Sequence, residues 1–157
     1  MDFFTVSLFG HREINDPLML ERRLAPIVNE LMRERPYVSF LIGRNGEFDE
    51  YAASVIKRIW RESGRDNSEI TLILPYAVAN IEYYESYYDS IIIPEVTHRV
   101  HPKSAITLRN RWMIERSDLI ITYVERGGGA DRAMKYAERL HKRIINLCDS
   151  DPSDAPF

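Results

Sequence analysis

The stretch "LIGRNGEFDEYAA", residues 41–53, joins an apolar run to a helix through Gly43-Arg44-Asn45-Gly46, and its reading decides the fold. Upstream, "YVSFLI" (37–42) is a short β-branched and aromatic run of the kind buried on both faces of a parallel sheet. Downstream, Phe48, Tyr51, Ala52, Val55, Ile56, Ile59 and Trp60 recur at spacings of three and four. That period predicts a helix over 47–63 with the whole stripe, Trp60 included, in the core. Strand, glycine turn and helix in direct succession form half of a β-α-β unit.

The same order repeats along the chain. Apolar runs stand at 3–9 ("FFTVSLF"), 70–75 ("ITLILP"), 118–124 ("DLIITYV") and 143–147 ("RIINL"). A helix is predicted from "DPLMLERRLAPIVNELMRER" (16–35), with Asp16 as N-cap, Pro17 at the first helical position, and Pro26 bending or splitting it. Further helices are predicted over 102–116 and 130–142. Five strands alternating with helices imply a three-layer, Rossmann-like α/β domain: a parallel sheet of about five strands with helices on both faces. The segment 76–102 breaks the rhythm. It is rich in tyrosine, and "SIIIPE" (90–95) reads as a short extra strand or extended piece.

Totals agree with one domain over residues 1–150, followed by a flexible tail, 151–157. Hydrophobic residues make up 45% and charged residues 29%, the balance of a soluble globular protein. A cytoplasmic location is expected, because no apolar run reaches membrane-spanning length, the start lacks a basic leader, and the lone Cys148 suits a reducing compartment. With 21 basic and 24 acidic residues, the net charge of −3 gives no general reason to bind nucleic acid or a membrane. No His, Cys or Asp spacing suggests a metal site.

In an open α/β sheet ligands gather at the carboxyl ends of the strands, so chemistry is expected in the residues after each apolar run. After the first run come Gly10, His11 and Arg12; His11 is read either as a ligand contact or as a partner for a strand-end carbonyl. After the second come Gly43, Arg44, Asn45 and Gly46, where missing Cβ atoms would let backbone amides approach an anion and the next helix would add its positive end. Glu47 and Asp49 follow in the first helical turn, as capping acids or as catalytic carboxylates. The fourth run leads into Gly127-Gly128-Gly129, more glycine than a plain turn needs. Asp131 beside it would repel phosphate unless turned away. Arg109 and Asn110, on the preceding helix, complete the candidate set. Neither glycine loop has the Walker or the dinucleotide-fingerprint spacing.

Taken in order, "SLFGHR", "GRNGEFDEYAA", "ITLILPY", "AITLRNRWMIERSDLIITYVERGGGADRAMKYAE" and "IINL" resemble the ordered blocks of the SLOG superfamily, the Rossmann-like group that includes the Lonely Guy phosphoribohydrolases and DNA-processing protein A. The nearest likeness is to its small single-domain bacterial members. The resemblance implies a nucleotide pocket with Gly127–Gly129 in the glycine block and Arg109 on the helix before it. It also implies a catalytic glutamate seven residues after the first of those glycines, where this chain has Met134; Glu138 is the nearest carboxylate downstream.

The expected function is therefore binding of a nucleotide or derivative, such as a nucleoside phosphate or ADP-ribose, as a sensor or adaptor, with no cofactor beyond that ligand. One alternative is an N-glycosidic hydrolase or transferase acting on a nucleoside monophosphate, with Glu47 or Asp49 stabilising oxocarbenium-like charge. Another is a structural oligomeric protein that uses the tyrosine-rich segment for contact. A homodimer or higher homo-oligomer is expected, with neither membrane nor nucleic acid as partner.

Overall fold

The computed structural model describes residues 3–44 and 46–149. Its elements follow one another as β1 (Phe3–Gly10), α1 (Pro17–Glu34), β2 (Tyr37–Ile42), α2 (Glu47–Ser63), β3 (Ser68–Ile73), α3 (Ile81–Tyr87), β4 (Ser90–Ile92), α4 (Pro102–Glu115), β5 (Leu119–Tyr123), α5 (Gly129–Arg139) and β6 (Arg143–Asn146). The six strands form one sheet in the order β4-β3-β2-β1-β5-β6, and every pairing is parallel. This is the expected Rossmann-like α/β architecture, with one more strand than the five apolar runs.

The extra strand comes from "SIIIPE". Ser90–Ile92 pairs with Thr71–Ile73 at the sheet edge. Asp89 holds it in register: its carboxylate accepts the Ile70 amide at 2.7 Å, and its own amide donates to the Ile70 carbonyl at 3.0 Å. Thr71 and Ser90 share a hydroxyl hydrogen bond of 2.9 Å alongside.

Strand alternation divides the core into two layers. Val6, Leu8, Phe40, Ile42, Leu72 and Ile121 face α1 and α2, whereas Phe9, Leu41, Ile73 and Ile120 face α4 and α5. The chain changes faces between the β2-β3 half and the β5-β6 half, so β1 and β5 lie side by side at the switch point, and a crevice opens beyond their carboxyl ends.

One expectation is narrowed and one is corrected. Pro26 does not split its helix: α1 runs unbroken from Pro17 to Glu34, with Asp16 capping it through a 3.0 Å bond from the Met19 amide. Burial of Leu20, Leu24, Ile27, Val28 and Leu31 outweighs the ~3 kcal/mol that an interior proline costs. Nor is the α2 stripe buried throughout, since Trp60 is 44% exposed and Tyr51 39% exposed. The inner arc is Phe48, Ala52, Ala53, Val55 and Ile56. Burial at its ends depends on how far neighbouring elements extend, which a period does not encode. The tail 151–157 lies outside the described residues, and no helix among those described is long and apolar enough to cross a membrane.

Candidate anion-binding cleft at the strand tips

The loop after β1 is shaped by packing before it is shaped by any ligand. A Cβ on Gly10 would fall 2.1 Å from Phe48 Cγ, so glycine is required there for the first turn of α2 to rest on β1. His11 follows, buried beside Tyr123, and its Nε2 accepts the Glu125 amide at 3.0 Å. It thus binds a strand-end amide rather than the carbonyl anticipated, and joins the tips of β1 and β5. Burial, then the nearby Arg126 charge, hold its pKa below the usual histidine value, which keeps Nε2 an acceptor.

The N-terminus of α2 is not the open anion cradle expected from Gly43–Gly46. Its first two amides are already bonded across the loop, Glu47 N–H to the Arg12 carbonyl at 2.9 Å and Phe48 N–H to the His11 carbonyl at 3.4 Å. Glu47 completes the clasp, its Oε1 accepting the Ile14 amide at 2.8 Å. Gly46 permits this approach, since a Cβ there would meet the Arg12 backbone at 3.2 Å. Asn45 lies outside the described residues.

Gly43 makes room for a cation. A Cβ at that position would stand 3.1 Å from Arg109 Nη1, where the guanidinium crosses from α4 beneath the β2 tip. Arg109 is only 9% exposed and is held by two bonds, Nη1 to the Ile73 carbonyl and Nε to Asn110 Oδ1, both 2.8 Å. Burial lowers its pKa and the Asp49 carboxylate opposes that shift. Asn110 therefore positions the arginine, and both residues line the cleft.

Asp49, two residues after Glu47 in the same first turn of α2, also lines the cleft. Burial pushes its carboxyl up to about 7 from 3.8, against the pull of Arg109 and with a small push from Glu50. The Tyr88 hydroxyl, raised by its own burial, also feels the Asp49 charge. Of the two acids expected in this turn, Asp49 thus faces the cleft and Glu47 does not contribute to its lining.

Opposite stands the glycine loop. Gly128 caps α5 with φ +139°, a conformation that side chains rarely adopt, and Gly128 and Gly129 line the cleft, whereas Gly127 does not. The first intrahelical bond runs from Arg132 N to the Gly128 carbonyl at 3.0 Å, so the amides of 129–131 precede it and carry the positive end of the helix. Asp131 is turned into an ion pair with Lys135 at 3.0 Å and is absent from the lining. Met134, in the place of the glutamate implied by the resemblance, takes a 3.4 Å contact from Thr122 Oγ1 against the sheet.

These walls enclose about 530 Å³. Arg12, Arg44, Arg109, Arg126 and Arg132 line the space, opposed by Glu13 and Asp49. Arg126 is partly neutralised by Glu125 at 2.8 Å, and Arg44 is braced by the Tyr84 hydroxyl at 3.3 Å. The tyrosine-rich segment thus touches the cleft at its start: Tyr76, beside Pro75, is in the lining, and Tyr84 reaches it only through Arg44. Among the described residues no group of three His, Cys, Asp or Glu is placed to hold a metal.

Gly10, His11, Arg12, Gly43, Arg44, Gly46, Arg109, Asn110, Gly128, Gly129 and Asp49 thus meet around one space. Sequence reasoning missed Arg126 and Arg132. The first stands directly before the glycines and was legible as part of that loop; the second is aimed by the helical phase of α5.

No protein-family model matches the chain, and no curated protein does. Among solved structures, the fold is similar to that of DNA processing protein A from Streptococcus pneumoniae, with a TM-score of 0.66 and 14% identity. The alignment covers 97% of this chain and 54% of that one, so the chain spans about half the length of that protein. The likeness is one of fold.

Proposed function

We propose that the protein is a SLOG-type domain that binds a nucleotide or nucleotide derivative at the carboxyl ends of its strands, as a sensor or adaptor. The observation that carries this reading is the gathering of five arginines from four separate segments around one cleft in a chain of net charge −3. Repulsion among such charges is relieved by an anion, and planar guanidinium groups match phosphate in geometry as well as charge. Arg109 is pre-organised by Asn110 and Ile73, which lowers the ordering cost of binding. The amides of α5 supply a second anion-binding feature from the opposite wall. A cleft of about 530 Å³ is of ordinary size for a small-molecule ligand.

Thermal melts against nucleoside mono- and diphosphates, ADP-ribose and NAD test the reading. A ligand at 100 times its Kd stabilises by ~2.7 kcal/mol, or roughly 5–11 °C for a chain of this length. Arg44→Ala should reduce that shift, and a panel that leaves the melt unmoved rejects nucleotide binding.

Asp49 supports a second reading, an N-glycosidic hydrolase or transferase. A cleft carboxyl with its pKa pushed up to about 7 is suited to protonating the departing base as a general acid, a different role from the anionic charge stabilisation expected from the sequence. Chromatography after incubation with a bound nucleoside phosphate decides it: free base that disappears in Asp49→Asn supports turnover, and an intact nucleotide supports the sensor.

A further inference from the structure

Beyond the N-terminus of α5 the cleft runs on into a groove between α4 and α5. The two spaces share Ile106, Asn110, Gly129 and Arg132, and the groove adds about 230 Å³. It follows α4 from Ile106 to Ile114, about 12 Å at the helical rise per residue. Its charged lining is wholly basic: Arg111, Arg132, Lys135 and Arg139. Only Lys135 has a carboxylate partner among the described residues, Asp131 at 3.0 Å. Arg111 and Arg139 are instead laid over the ring of Tyr136, with guanidinium carbons 4.9 and 5.6 Å from its centroid. Tyr136 is itself anchored by a 2.6 Å bond to Glu115. Three guanidinium groups without an ion-pair partner among the described residues are thereby gathered along one channel, two of them on a fixed aromatic platform.

We infer that this groove is a second anion subsite of the same ligand, which therefore carries two separated phosphate groups, one in the cleft and one between α4 and α5. The inference rests on the nucleotide reading of the cleft. Its chemical class is a nucleotide phosphorylated at two positions, and the nucleoside 3′,5′-bisphosphates are its simplest members. A 5′-diphosphate bears its two phosphates on adjacent positions and leaves the groove empty. Salt-screened attraction to exposed arginines alone would not tell these isomers apart, because both are polyanions of similar charge. Placement of the phosphates on opposite sides of the ribose does, because one can then lie in the cleft while the other passes Gly129 and Arg132 into the groove.

Calorimetric titration tests this with matched sets of adenosine, guanosine, cytidine and uridine nucleotides, each as 5′-monophosphate, 5′-diphosphate and 3′,5′-bisphosphate. For the base that binds tightest, the bisphosphate should bind about tenfold or more tightly than either the monophosphate or the 5′-diphosphate. The exposed pair Arg111→Ala with Arg139→Ala should erase that advantage while leaving monophosphate affinity within about twofold. Arg111→Lys with Arg139→Lys should keep part of it, and Arg44→Ala should weaken all three ligand types. Equal affinity for bisphosphate and 5′-diphosphate, or an advantage that survives the double alanine variant, overturns the groove subsite and leaves the cleft reading standing. Failure of every nucleotide to bind overturns both.

Discussion

Replacing Asp49 by Asn tests the electrostatics of the cleft without a ligand. The folded carboxyl titrates at about 7 and the unfolded one near 3.8. Below about pH 4 both states hold the proton and the group contributes nothing to the pH dependence. Between about pH 4 and 7 the folded protein keeps a proton that the unfolded chain has released, so stability falls with rising pH by up to ~1.4 kcal/mol per unit. Above about pH 7 both states are ionised and the penalty is constant. Three units correspond to ~4 kcal/mol, and water entering the open cleft reduces this to ~2–4 kcal/mol. Asn is the isostere of the protonated acid, so Asp49→Asn should change the melting temperature little near pH 4 and raise it by roughly 4–16 °C at pH 8. Melting curves of the two proteins across that range supply the measurement. A difference that stays flat from pH 4 to 8 would show that Asp49 ionises like a surface carboxylate, and its assignment as a cleft acid would be withdrawn.

Other outcomes follow from the same contacts. Gly10→Ala drives a methyl group into the Phe48 ring at 2.1 Å and should destabilise by ~1–3 kcal/mol or more in chemical denaturation, whatever ligand is present. Glu47→Ala removes the acceptor of the Ile14 amide; a loss of ~1 kcal/mol in denaturant midpoint with nucleotide affinity unchanged will separate this clasp from the neighbouring Asp49. Nucleotide affinity should fall as salt rises, and the slope should be shallower in Arg12→Ala, whose exposed guanidinium borders the cleft.

The amino-acid sequence by itself determined the alternation of strands and helices, because unbroken β-branched runs and three-four periods report locally on burial. It also named most of the cleft, since a parallel α/β order sends the residues after each strand to one end of the sheet. It erred where local signals were ambiguous. Gly43 reads as room for backbone amides to meet an anion, yet the space beside it also holds Arg109, 66 positions away, and Gly10, named only as a candidate, makes room for Phe48, 38 positions away. Glu47 and Asp49 share a helical turn, and only the packing of the loop after β1 turned one into a structural clasp and left the other in the cleft. The charge sum of −3 likewise concealed a basic channel, because a total contains no positions. Tertiary structure decided these points for a common reason. Close approach, desolvation and charge convergence arise between residues remote in the chain, and their strength depends on distances that only the closed fold sets.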